Sequence, residues 1–520
     1  MFDPKLLLPE RIYALPGFEI NIYFQNVVTV INPANFAFDV ECKKGRCDAI
    51  RWRWIPEDAD VGEHKLKLSV WSDEGLLAEA ETAVVVSPRS AGEGTTLTIL
   101  QIGASCMAAK GHGDQLHARF QLPGNPKLVM LGSHAPGYGP VTPGGPANEA
   151  YGGWNWRTFF EKESSSDLDN DGLHPKRPYD VPSPFLFDHG GRKEFDFEKY
   201  LETVCHGARP DVVYFELGVN GIFLAKTDEE FEEIFARDVY PYMSRMLKAA
   251  RAALPEAVLG VELLPRGSWS QDAFGKNYGC LQSRRRWLLN ADLLSRKYIA
   301  LARELDYLIL PEYHNCDGAA NYPVQEEPVY ASSSVTVKRA ANALHATPEG
   351  YGQWADCEYF FLKYLLARKM PMHKFLNPDE VLMHAAGCLV LVRKDKVPQT
   401  TDDVLQGVRD LWERIVDALS EDPETLEDQE KSMNSSLREM GAWERISLKD
   451  YSYLDLLNPA IITADGWGMA PKIWHEELKM REIEPELWLT AEDPQAQDPD
   501  LPYDLLDNLN DPLNLPAEYR

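Results

Sequence analysis

The chain has 520 residues, 44% of them hydrophobic and 11% aromatic, enough to bury several cores, and its length predicts two to four domains. Asp and Glu (81) outnumber Lys and Arg (53), and the formal charge of -28 repels nucleic-acid phosphates and anionic membrane surfaces, so neither is expected as a partner. No apolar run is long enough to span a bilayer, and the start lacks a basic segment followed by an extended apolar one; as written, the sequence predicts a soluble cytoplasmic protein, or a secreted or periplasmic one if its N-terminus has been trimmed.

From residue 8 to 87, short apolar or alternating runs such as "EINIYFQNVVTVI", "AIRWRWI" and "AETAVVVS" are punctuated by Gly, Pro, Asn and Asp. This regularity predicts an antiparallel, Ig-like β-sandwich over residues 1–92, closed by the small, polar link at 88–94. Cys42 and Cys47 flank "KKGR", read as a hairpin turn, and would face each other across its strands as a disulfide in an oxidising compartment. The other cysteines of the eight show no zinc-ligand spacing.

Over residues 93–370 the rhythm changes to strands at 95–102, 127–132, 211–217, 257–264 and 307–311, alternating with helical stretches such as 229–253 and 286–305. Continuous apolar strands between amphipathic helices predict an α/β domain with a parallel sheet, whose ligand sites lie at the carboxyl ends of the strands. The insertion at 133–209 is long enough to be functional. Within it, Asp167, Asp169 and Asp171 precede Gly172 at the spacing that turns three carboxylates onto a hard cation, calcium by choice, although Pro178 stands where an EF-hand has its bidentate Glu. A solvated turn accounts for the same residues. Residues 371–520 read as a helical extension ("VLQGVRDLWERIVDAL") that ends in an acidic, Pro-rich tail.

Four stretches carry the chemistry. In "QIGASCMA" an apolar strand ends at Gly103, and Ser105 follows in a turn expected to open a helix, exposing a hydroxyl near a helix N-terminus. "EAYGGWNWRTF" offers Gly152 and Gly153, where a bare backbone N–H can approach a reacting oxygen. "LGVNG" places the Asn220 amide beyond a strand, and "NALHATPEGYGQWAD" supplies His345 as a base. Alone, each has a plain structural reading: a helix cap, a tight turn, a turn Asn, a satisfied His. Cys106, beside Ser105, offers a rival thiolate nucleophile.

In this order the four stretches resemble blocks I, II, III and V of the SGNH (GDSL-type) serine hydrolases, over roughly residues 95–369. The resemblance implies a flavodoxin-like three-layer α/β/α domain and an ester hydrolase; no cofactor is expected for its chemistry, and the calcium read from the Asp-rich loop would be a structural ion. Ser105 would be the nucleophile and His345 its base; the N–H groups of Ser105 and Gly153, or Gly152, and the Asn220 side chain would form the oxyanion hole. Three positions depart from the pattern: Ala104 and Gly221 replace aspartates of blocks I and III, and Asn342 stands where block V has an Asp three residues before the His. Asn342 could orient His345 but not stabilise an imidazolium; Asp317 and Glu312 are the other acids expected near it.

The aromatics Tyr138, Tyr151, Trp154 and Trp156 around the glycines suit a sugar ring as well as they suit a core. Deacetylation of a carbohydrate is the leading expectation, a lipid or small-molecule acyl hydrolase the second, and a non-catalytic carbohydrate-binding protein with an eroded site the third. The Arg284-Arg285-Arg286 run would hold an anionic substituent or simply begin a helix. The sequence does not specify an oligomeric state.

Overall fold

The computed structural model describes residues 5–30, 32–164 and 178–368, the strands Glu380–Ala385, Cys388–Arg393, Trp443–Glu444, Ile461–Ile462, Trp467–Met469 and Leu487–Leu489, and residue 395. It divides into two compact units, residues 1–58 with 64–364 and residues 59–63 with 365–520.

The first unit begins with strands β1 (Arg11–Ala14), β2 (Ile20–Tyr23), β3 (Ala37–Glu41), β4 (Arg46–Cys47), β5 (Arg51–Trp54), β6 (Gly62–Ser72) and β7 (Gly75–Val86). They form a four-stranded sheet, β1-β7-β6-β3, and a three-stranded sheet, β2-β5-β4. The expected antiparallel pattern holds except at one edge, where β1 runs parallel to β7. The hairpin expected across "KKGR" does not form, because β3 pairs with β6 and β4 with β5 in the other sheet. Cys42 and Cys47 are accordingly unbridged. What fixes this turn is Gly45 at φ +76°, where a Cβ would sit 2.6 Å from the Trp52 ring.

The α/β part comprises β8 (Thr96–Gly103), β9 (Lys127–Leu131), β10 (Glu149–Ala150), a small antiparallel pair β11 (Leu186–Asp188) and β12 (Lys193–Phe195), then β13 (Val212–Glu216), β14 (Val258–Leu263) and β15 (Leu308–Pro311). Its central sheet is parallel throughout, in the order β9-β8-β13-β14-β15, with the short β10 continuing the β9 edge along the end of β8. By position along the chain this is the 2-1-3-4-5 order of a flavodoxin-like doubly wound sheet, whose ligand crevice opens at the ends of its first and third strands, here β8 and β13. These strands are apolar along their length because both faces are covered.

The helix Pro348–Arg368 covers one face so closely that a Cβ on Gly260 would lie 3.5 Å from the Phe361 ring. On the other face, Trp156 packs 5.3 Å from Phe215 and its indole donates to Tyr298 of the helix Arg284–Leu301.

The N-terminal sheets are bonded into this framework. The Tyr13 ring packs at a tilt against Phe361 and Tyr364, and His314 Nδ1 lies 2.7 Å from the Asn21 carbonyl. Burial lowers the His314 pKa to about 4, so this neutral ring is part of a buried contact.

In the second unit, Glu380–Ala385 and Cys388–Arg393 form an antiparallel hairpin, joined in one sheet by Trp467–Met469 and Leu487–Leu489. Strand thus stands where the sequence suggested helix. The expected helix at 404–419 and the acidic tail lie outside the described residues, as do Asp167, Asp169 and Asp171.

Candidate active site

The register brings three chain exits to one level. Gly103 ends β8 between Ala150 of β10 and Glu216 of β13, the Tyr151 N–H donates to the Gly103 carbonyl at 3.1 Å, and the Ala104 N–H donates to the Glu216 carbonyl at 3.1 Å. Ser105, Gly153 and Asn220 lie two, three and four residues beyond these anchors. All three therefore stand at the switch point of the sheet.

Ser105 occupies a half-buried turn, and the next helix begins only at His112 (His112–Phe120), so no helix N-terminus points at its hydroxyl. Glu216 organises this turn instead: its Oε2 accepts the Met107 N–H at 2.7 Å, and a Cβ on Gly103 would stand 3.2 Å from the same oxygen. The N–H of Ser105 has no acceptor among the described residues.

The two glycines separate cleanly. The Gly152 N–H is taken by the Tyr138 hydroxyl at 2.8 Å, and its Cβ position is filled by the Tyr179 ring. Gly153 has φ +78°, nothing within 4 Å of a built Cβ, and an N–H with no acceptor among the described residues. Asn220 Nδ2 donates at 2.8 Å to the Trp154 carbonyl, which fixes the amide beside the Gly153 turn and leaves its second N–H available. Glu149 anchors the start of this loop, accepting from Ser133, Tyr151 and Tyr200. Burial pushes its pKa up to about 7 against those donors.

His345 reaches the same edge from the far end of the domain. The Cys106 thiol lies 3.9 Å from the Leu344 carbonyl, and Cys106 packs on the cluster that contains Ala346, so the residues flanking Ser105 touch those flanking His345. The Ser105 hydroxyl and the imidazole are not hydrogen-bonded to each other among the described residues. Burial holds the His345 pKa below its ordinary value.

The Asn342 side-chain oxygen accepts the N–H groups of Leu344 (3.1 Å) and His345 (2.9 Å), and is thus engaged by the His345 backbone. Asp317 caps the N–H groups of Ala319 and Ala320, and Glu312 is fully buried; neither is hydrogen-bonded to His345 among the described residues.

Two expectations change here. Burial, reinforced by Glu216 and Glu312, pushes the Cys106 thiol well above its ordinary pKa, which disfavours the thiolate that a cysteine nucleophile needs. Tyr151, Trp154 and Trp156 are buried, with Tyr151 stacked on Trp154 at 4.2 Å, so three of the four aromatics form core and present no face to a sugar. Of the arginine run, Arg286 is committed to Asn290 and Asp228 in a helix capped by Ser283.

The sequence reading missed a polar cleft of about 380 Å³ beside the His345 segment, lined by Gln271, Asp272, Lys276, Glu327, Arg339 and Ala341 among others. Asn277, on the helix Gln271–Tyr278 that forms one wall, donates to the Ala341 carbonyl and accepts the Ala343 N–H at 2.7 Å. It also missed Glu216, whose only signal was a lone acid closing an apolar strand.

No protein-family model matches the chain, and no curated protein matches its sequence. Among solved structures it has distant matches to SGNH/GDSL-like esterases and lipases that cover about half the chain. They include a family 3 carbohydrate esterase of Clostridium thermocellum (13% identity, TM-score 0.28, 51% of this chain and 94% of that one). A carbohydrate acetylesterase of Sinorhizobium meliloti aligns at 12% identity and TM-score 0.29, over 51% of this chain and 98% of that one. A lipase of Streptomyces rimosus aligns at 12% and 0.27, over 49% and 95%. At TM-scores of this size the functional reading rests on the site alone.

Proposed function

We infer that this protein is a serine ester hydrolase working through an acyl-enzyme on Ser105. The supporting observation is the convergence at one sheet edge of a half-buried serine, two backbone N–H groups without acceptors among the described residues, an anchored Asn amide and a histidine segment in contact with the serine turn.

In the reaction, the Ser105 hydroxyl turns to His345; such contacts commonly tighten only when substrate binds. Ser105 Oγ attacks the ester carbonyl carbon as His345 accepts its proton, and the developing oxyanion takes hydrogen bonds from the Ser105 N–H, the Gly153 N–H and Asn220 Nδ2. The imidazolium then protonates the departing alcohol. Water, deprotonated by His345, attacks the acyl-enzyme, and the carboxylic acid leaves as the proton returns to Ser105.

The alcohol portion is a polar, hydroxyl-rich group such as a sugar. What supports this is the cleft beside the His345 segment, whose charged and amide walls suit hydroxyls and do not suit an acyl chain. The acyl portion is accordingly short, and deacetylation of a glycan is the preferred reaction.

The test is fluorophosphonate labelling with peptide mapping, followed by acetate release from acetylated glycans and chain-length profiling of p-nitrophenyl esters. Labelling at Ser105 and preference for acetyl esters support the reading. Preference for long chains replaces it with a lipid hydrolase, and no labelling replaces it with a binding protein.

A further inference from the structure

Beneath the Ser105 turn lies a set of acids that the hydrolytic reading does not use. Glu216 and Glu262 occupy equivalent positions on adjacent strands, since Phe215 pairs with Val261. Glu312 follows β15 on the same side, and Glu358, on the helix Pro348–Arg368, and His112 complete the set from the covering layer. Glu262, Glu312, Glu358 and His112 are all 0% exposed.

We propose that His112, Glu312 and Glu358, with Glu262 beside them, form a buried site for one divalent transition-metal ion, Mn2+ or Zn2+ by its donor set. One donor atom each from His112, Glu312 and Glu358 lies within 4.8 Å of the others; neighbouring ligands bound at about 2.1 Å from a common ion stand about 3.0–3.4 Å apart, so the three side chains would draw in slightly on binding. Imidazole with carboxylates is the mixed donor set that suits Zn2+ and Mn2+.

Both oxygens of Glu262 and of Glu312 lack a hydrogen-bond donor among the described residues, as does Glu358 Oε2. His112 Nε2 stands 3.4 Å from that Oε2, in ion-pair range but outside hydrogen-bond geometry. The other Glu358 oxygen accepts from Gln101.

One imidazolium leaves two of three carboxylate charges uncompensated in a medium that penalises each buried charge by several kcal/mol, whereas a divalent ion balances Glu312 and Glu358 and leaves only the Glu262 charge. Burial and mutual repulsion push Glu262 and Glu312 well above the carboxylate range. Burial opposes the His112 cation, but Glu358, Glu216 and the Cys106 backbone together outweigh it and raise the ring's pKa. Protonation is the competing way to neutralise the cluster, and it has a different experimental outcome.

The ion would join three parts of the proposed hydrolytic site: His112 on the helix after the Ser105 turn, Glu312 at the end of β15, and Glu358 on the helix that starts three residues past His345. Its readouts are metal content and melting temperature, so its failure is distinguishable from failure of the ester-hydrolase reading.

The full chain, purified without chelator, should contain about one equivalent of Mn2+ or Zn2+ by elemental analysis. After stripping by chelator and dialysis, Mn2+ or Zn2+ added at about 100 times its Kd, but not Mg2+, should raise the melting temperature by about 5 °C or more. The near-isosteric Glu312→Gln and His112→Ala should lose both the ion and the shift. Wild-type protein with no stoichiometric ion and no shift overturns the proposal without recourse to any variant, as does ion binding that both variants retain.

Discussion

Ser105 and Cys106 are adjacent in the chain, and their surroundings divide the chemistry between them. A thiol pushed upward by burial, Glu216 and Glu312 stays protonated, whereas a hydroxyl needs only a base at its side. Ser105→Ala should therefore abolish ester hydrolysis, by about 10⁴-fold or more in kcat, while Cys106→Ala keeps most of it; the reverse pattern in steady-state rates would make the cysteine the nucleophile. Asn220→Ala should lower kcat by about 10²–10³-fold with a smaller effect on KM, as removal of an oxyanion donor does. Equal effects on both would make Asn220 a substrate-binding residue.

His345 must be neutral to act as a base, and burial disfavours its cation. Since the folded pKa lies below the ordinary imidazole value of 6.5, the active form persists to lower pH, and the acid limb of kcat/KM should have its midpoint under 6.5. A midpoint above 6.5 in the pH–rate profile would mean that a carboxylate reaches the ring in solution. Because the Asn342 oxygen is spent on the backbone N–H groups of Leu344 and His345, Asn342→Ala should cost far less activity than His345→Ala. Equal losses would mean that Asn342 acts on the imidazole itself.

Among the elements, the five strands of the parallel sheet were legible because each is a continuous apolar run bounded by turn residues, and all five appear within about one residue of the expected bounds. The "KKGR" hairpin was misread for the opposite reason: local turn chemistry marks a bend but not which strands pair across it, and β3 and β4 belong to different sheets. The Gly152-Gly153 pair is ambiguous in sequence, since only the fold brings Tyr138 and Tyr179 onto the first glycine. The buried acids left a faint trace: "FEL" and "VEL" set a Glu at the same level near the ends of two adjacent strands, and "PEY" sets one two residues further on past the third, a pattern visible only once the strands are known to be parallel neighbours. At this scale Gly153→Ala should be the informative change. A Cβ meets no atom within 4 Å there but forces an L-residue to φ +78°, at a cost of about 1 kcal/mol, so a small loss of stability should accompany a larger loss of kcat as the N–H shifts. Unchanged kcat with lowered melting temperature would remove Gly153 from the oxyanion hole.

In the first unit, the N-terminal sheets share a buried polar seam with the site-bearing domain. Asn315 Oδ1 accepts both the backbone N–H (2.9 Å) and the side-chain N–H (3.0 Å) of Asn21, and Asn315 Nδ2 donates to the Gln353 carbonyl at 3.1 Å. Asn26 bonds the Cys316 carbonyl and accepts from Trp269. Such groups are costly to bury alone, so two parts joined this way should melt together. Asn315→Ala would leave two Asn21 donors unpaired, for a loss of about 3 kcal/mol and a fall in melting temperature of about 5–10 °C. The seam runs through the segment between Glu312 and the helix that follows His345, so hydrolysis should fail at a lower temperature in step with the melt. A melt in which the β-rich part unfolds separately, or an Asn315→Ala variant with unaltered melting temperature, would make the N-terminal sheets an independent module and leave the seam without an energetic role.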